Sequence, residues 1–172
     1  MLSYEADGWG VGEVWLQDDV LLNHELPRAR SSRGRPAADG LAGRFRAFFA
    51  GERDAFADVE LDLEWCTPFQ RAVVSALRAV PRGETVTYGE LAALAGYPSA
   101  ARAVGSVCAG NRFPLVVPCH RVVAANGLGP YGLSGQAYKR RLLELEANIG
   151  TNSSHLEGQT PERRLRRIGT EL

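Results

Sequence analysis

Apolar positions change period near the middle of the chain. Residues 8–26 read as a hairpin: Val11, Val14, Trp15 and Leu16 lead into Gln17-Asp18-Asp19, and Val20-Leu21-Leu22 returns from it. Arg28 to Gly40 has no apolar period and predicts a mobile loop carrying Arg28, Arg30, Arg33 and Arg35. Leu41, Phe45, Phe48 and Phe49 share one face of a helix, and Val59, Leu61 and Leu63 alternate as in a strand. The first 64 residues therefore predict a compact α/β unit.

Beyond Trp65 the pattern becomes one of short, closely spaced helices. Thr67-Pro68 supplies an N-cap and a proline at the first helical position, and Phe69, Val73, Leu77 and Val80 form an apolar stripe that stops at Pro81. Thr87-Tyr88-Gly89-Glu90 has capping-box spacing, so a second helix begins there and ends at Gly96. Pro98-Ser99 starts a third through Ala100–Val107, with Gly110 as its stop. Two short helices around a glycine turn suggest a helix-turn-helix. In the second, Arg102 is the only long side chain among Ala100, Ala101, Ala103, Gly105, Ser106 and Ala109, a smooth surface suited to close packing or to a narrow groove. Asn126-Gly127 marks a tight turn, a small wing. Residues 128–135 read as a closing loop, and a last helix spans about Gln136–Glu146, with Tyr138, Leu142 and Leu145 inward and Lys139, Arg140 and Arg141 opposite. Residues 148–172 are read as a polar, frayed tail without function.

Composition narrows the class. The 172 residues, 45% hydrophobic and 23% charged, fit a globular protein. The absence of an apolar leader or a membrane-length run gives a cytoplasmic expectation. Cys66, Cys108 and Cys119 contain no CxxC pair, which argues against a disulfide framework or a zinc knuckle; no metal or cofactor is expected. Net charge is zero, but residues 65–143 carry 9 Lys and Arg against Glu84 and Glu90, whereas residues 1–64 carry 7 Arg against 13 Asp and Glu. The basic middle fits a polyanion partner.

The candidate chemistry lies at Val116-Val117-Pro118-Cys119-His120-Arg121-Val122-Val123. A thiol attacks as thiolate, and His120 and Arg121 are candidate sources of the required pKa lowering. A buried structural cysteine in a strand is the alternative at this point. In a regular strand Cys119 and His120 would point to opposite faces, so a direct bond between them is awkward.

Pro118-Cys119-His120-Arg121-Val122-Val123, together with Ala101-Arg102-Ala103-Val104-Gly105 and Tyr88-Gly89-Glu90-Leu91-Ala92, resembles the O6-alkylguanine-DNA alkyltransferase family, the methylated-DNA–protein-cysteine methyltransferases. The resemblance covers about residues 65–147. It implies an α+β protein with a ribonuclease-H-like α/β domain at 1–64, a winged helix-turn-helix-like acceptor domain at 65–147 and the tail at 148–172. It further implies stoichiometric repair, in which O6-alkylguanine is flipped out of duplex DNA and its alkyl group passes irreversibly to Cys119. Under this resemblance His120 is the base acting through a water, Glu146 its orienting carboxylate and Tyr88 a donor to the purine ring. Arg102, Ala103, Gly105 and Arg121 are assigned to the DNA, approached through the minor groove by a monomer. Val122, Tyr131 and Ser134 line the base pocket, and Asn111 ties the helix to the active-site segment. The chain departs from the family's Gly-x-Tyr-Ser-Gly-Gly loop at Gly129-Pro130-Tyr131-Gly132-Leu133-Ser134-Gly135, so the donor to O6 is open between Gly132 and Ser134. The zinc site of some members has no counterpart among the cysteines. The competing readings are a winged helix-turn-helix protein that binds lesions or sequences without transfer, and a cysteine hydrolase.

Overall fold

Two aspartates make the turn of the hairpin expected over residues 8–26. Asp18 and Asp19 both take positive φ, 50° and 66°, the combination whose twist matches an antiparallel ribbon, and Gln17 pairs with Val20 across them. The computed structural model describes residues 1–148; of the tail read at 148–172, Asn148 ends the last helix and the rest lies outside the described residues.

The chain divides into two compact units. The first comprises Met1–Trp65 and, returning later, Arg112–Val116. Its sheet has the order β3-β2-β1-β4, with β1 at Leu2–Ala6, β2 at Gly10–Gln17, β3 at Val20–Arg28 and β4 at Arg35–Pro36. β1 is a strand that the sequence reading did not assign. Helix α1, Gly40–Phe49, packs on β1 and buries Ala42, Phe45, Phe48 and Phe49, while Leu41 is only half-buried. Phe45 stacks near Tyr4 and Phe56, giving this unit an aromatic core.

Two expectations for this unit need correction. The strand expected at Val59–Leu63 is a single bridge, Leu61 to Leu21, because only Glu60 O and Asp62 N reach the β3 backbone before the chain turns. The arginine loop is tied down: Glu13 accepts from Arg33 N at 2.9 Å and pairs with Arg30 at 3.0 Å, and β4 adds a short parallel pairing to β1.

The second unit comprises Cys66–Asn111 and the chain from Val117 onward. Helix α2, Pro68–Arg78, opens with a capping box in which Thr67 and Gln70 exchange side-chain and backbone bonds, a device worth about 1 kcal/mol. Thr87 and Glu90 repeat it at the start of α3, Tyr88–Leu94. Helix α4, Ala101–Ala109, starts without a side-chain cap, so Ser99 does not play that part. β5, Val86–Thr87, runs parallel to β6, Val122–Val123, and an Ala124–Gly127 bridge closes the turn at Asn126. Helix α5, Gly135–Asn148, is the last described element. The whole is a mixed α+β fold, with the sheet in the N-terminal part and helices after it. Among the described residues, no helix is long and apolar enough to cross a membrane.

Candidate active site

The segment read as a strand is a 3-10 turn at Cys119–Arg121, with only Val122–Val123 extended. Pro118 lacks an N–H for a ladder and sits at φ −80°, so pairing cannot begin earlier from it. With about three residues per turn, successive side chains diverge by roughly a third of a circle. Cys119, His120 and Arg121 therefore leave the backbone in three directions.

His120 turns inward and is 0% exposed. Its Nε2 lies 2.7 Å from Glu146 Oε1. Glu146, on the last turns of α5, also accepts from Arg121 Nε at 3.0 Å, Arg121 Nη2 at 2.8 Å and Gly83 N at 3.2 Å. Burial opposes its ionisation, yet the bonds from His120 and Arg121 outweigh that penalty and hold the carboxyl well below the usual range. An ionised carboxylate only accepts, so the shared proton resides on His120 Nε2. Nδ1 then carries a lone pair, and it is buried without a protein partner. Burial outweighs Glu146 and keeps the imidazole pKa below its ordinary value, which favours the neutral ring.

Arg121 is 7% exposed, and its third bond goes to Val80 O at 2.6 Å. This placement corrects its assignment to DNA: the guanidinium is committed to the interior, where it neutralises Glu146 and anchors the turn after α2.

Cys119 is buried, and Asn111 Nδ2 donates both to its sulfur at 3.0 Å and to Val117 O at 2.8 Å. Burial pushes the thiol pKa up. The Asn111 bond, the nearby Tyr131 hydroxyl and the Lys139 charge pull it back. The Tyr131 hydroxyl is buried close to that sulfur but lacks the alignment of a well-formed hydrogen bond.

Lys139 was read as solvent-facing and is instead 0% exposed, donating from Nζ to Val122 O at 2.5 Å and Pro130 O at 3.3 Å. It ties the closing loop to β6 and brings a positive charge to the thiol; burial lowers its own pKa. Lys139 lies three residues before buried Leu142 and seven before buried Glu146, on one helical face, but its charge hides it from a pattern read on apolar residues alone. Its buried ammonium beside backbone carbonyls alone is the signal.

Tyr88 opens α3 half-buried, with its ring near Gly105 and Gly129. Burial, then the neighbouring Cys108 and Cys119, raise its phenol pKa. Gly129 sits at φ +73°, where an added Cβ would lie 3.2 Å from Ala124 N, so the loop's approach to Tyr88 requires glycine. Val122 is fully buried, whereas Gly132 and Ser134 lie exposed in a 3-10 turn, Gly132–Ser134. No described hydrogen bond brings Ser134 to the thiol. On α4, Arg102 and Ala103 are exposed and Gly105 is half-buried. Among the described residues, no cluster of three His, Cys, Asp or Glu side chains is placed to hold a metal.

A family model described as 6-O-methylguanine DNA methyltransferase, DNA binding domain, matches residues 68–148. A methylated-DNA–protein-cysteine methyltransferase of Mycobacterium tuberculosis is 50% identical over 156 residues, spanning 85% of this chain and 93% of its own length. One from Methanothermobacter thermautotrophicus is 36% identical, covering 79% of this chain and 78% of its own. The fold matches a crystal structure of M. tuberculosis OGT in complex with DNA, with TM-score 0.72 and 39% identity over 87% of this chain and 94% of that one. With these likenesses spanning both units, the chain belongs to the methylated-DNA–protein-cysteine methyltransferase family.

Proposed function

We propose that this protein repairs O6-alkylguanine in duplex DNA by direct reversal, with Cys119 as the single-use acceptor. The Cys119 thiolate attacks the alkyl carbon, the new S–C bond forms as the O6–C bond breaks, and guanine leaves intact. The observation that carries this reading is the pairing of a thiol held by Asn111 with a neutral imidazole whose Nδ1 lone pair is unclaimed. A water bridging Nδ1 and Sγ carries the thiol proton to His120, and Glu146 stabilises the imidazolium that results. Tyr88 donates to the purine ring nitrogen as the leaving group gains its electron pair, a contribution of about 10²–10⁴ in rate for general-acid help of this kind.

The target base is flipped into the pocket walled by Tyr131 and Val122. Helix α4 lies in the minor groove, where its small residues clear the narrow walls and exposed Arg102 occupies the space left by the base. The protein acts as a monomer. Lys139 supports the thiolate through its charge and holds the loop that carries Tyr131.

Incubation with a duplex containing O6-methylguanine is expected to add one methyl mass to Cys119 and to stop after one equivalent, read by intact-protein and peptide mass spectrometry. Cys119→Ala keeps DNA binding and loses transfer. Lesion binding with no adduct on the wild-type chain would replace this reading with that of a binding module.

A further inference from the structure

Residues Arg112–Val116 form a strap whose two ends are covalently joined to the acceptor site. Asn111 precedes it and Val117 follows it, and Asn111 Nδ2 closes the loop onto Val117 O and Cys119 Sγ. The strap itself clusters with the N-terminal sheet, and His24 on β3 is its main grip. His24 N donates to Arg112 O at 2.8 Å, and His24 Nδ1 lies 2.7 Å from Pro114 O. A carbonyl only accepts, so the proton is on Nδ1; Nε2 then accepts from the Tyr4 hydroxyl at 2.7 Å. The ring lies flat on Phe45, with centroids 3.9 Å apart and planes 2° from parallel. Arg112 adds a further hold, its guanidinium 4.5 Å above Trp65.

The grip bears on a strained backbone. Leu115 is buried at φ +76°, a conformation that a bulky residue adopts only when its surroundings impose it. It stands immediately after the Pro114 carbonyl that His24 holds, and four residues before the thiol.

We propose that His24 is a positioning residue for the acceptor: by holding the strap in its strained path it sets Asn111 against the Cys119 sulfur. The inference rests on Cys119 being the reactive thiol, and it is tested without the DNA reaction. Loss of the His24 grip relaxes the strap, weakens the Asn111 bond to sulfur and removes a donor that favours thiolate. In His24→Phe, which keeps the stacked ring and loses both ring bonds, the pH–rate profile for alkylation of Cys119 by iodoacetamide should move up by about one unit. Asn111→Ala should move it the same way. His24→Asn, whose side-chain amide reproduces the Nδ1 donor, should restore the wild-type profile. A folded His24→Phe with an unshifted profile would overturn the proposal, as would equal shifts in the Phe and Asn variants.

If His24→Phe does not fold, the wild-type protein still decides. Alkylation of Cys119 by iodoacetamide should shift the His24 ring nitrogen resonances, and unchanged resonances reject the coupling. A wild-type chain that takes iodoacetamide at Cys119 but no methyl from DNA would sink the repair reading while leaving the His24 test intact.

Discussion

The described residues include two buried histidines whose surroundings differ in one respect that decides what each can do. Around His24 every polar atom of the ring is engaged, Nδ1 by Pro114 and Nε2 by Tyr4, and burial lowers its pKa to about 4. Around His120 one nitrogen is engaged by an ionised Glu146 and the other, Nδ1, keeps a buried lone pair. Both rings are neutral at physiological pH. A ring with no free lone pair is a staple, whereas one that keeps an unclaimed lone pair is free to accept a proton, the role proposed for His120. Changes at the first should therefore be read mainly in stability and geometry, and changes at the second mainly in chemistry.

The largest effect is expected where the second region concentrates its charge. Glu146→Ala leaves Arg121 buried without its anion and frees the His120 ring, so it should cost about 3–5 kcal/mol in denaturant unfolding and abolish measurable transfer. Next comes His120→Phe, which preserves an aromatic volume but removes the base. Single-turnover methyl transfer should fall by about 10²–10⁴ while duplex binding is retained. A His120→Phe protein that transfers normally would erase the distinction between the two histidines.

The third test uses pH. The folded pKa of His24 is depressed from 6.5 to about 4, so the unfolded chain binds the proton first as pH falls. Stability from this group is fully present above pH 6.5 and is lost as the pH descends towards 4, by about 3 kcal/mol in all. His120, also depressed by burial, adds a loss of the same sign. The His24 share is therefore read as the difference between wild type and His24→Asn in unfolding free energy across that range. An unchanged slope in the variant would mean that His24 is not the buried neutral group described.

Much of this arrangement follows local rules and was readable from the chain. The Thr87–Glu90 capping box, the Asp18-Asp19 turn and the α1 apolar face are each fixed by residues a few positions apart. The direction of a side chain in an irregular segment is not. Arg121 is assigned to the DNA through the family resemblance, but the 3-10 turn sends it inward to Glu146. Lys139 was placed on the polar face of α5 by its charge, yet two backbone carbonyls from other segments solvate its ammonium in the interior. Glu146 was assigned to His120 through family resemblance, since the 26 residues separating them carry no local signal. The return of Arg112–Val116 to the N-terminal unit, gripped by His24, is likewise a long-range pairing that no periodicity announces.

The smallest expected effect separates the two duties of His24. Tyr4→Phe removes the hydroxyl that donates to Nε2 and leaves that nitrogen buried and unpaired, at a cost of about 1–3 kcal/mol in unfolding free energy. The Pro114 carbonyl can still only accept, so the proton remains on Nδ1 and the grip on the strap survives. Unfolding should therefore begin at lower denaturant, while the pH–rate profile of Cys119 with iodoacetamide stays where it is in the wild type. His24→Phe should change both quantities. If Tyr4→Phe shifts the thiol profile as far as His24→Phe does, the thiol follows the overall stability of the N-terminal unit and not the single bond to Pro114. The staple and the positioning residue would then be one and the same effect.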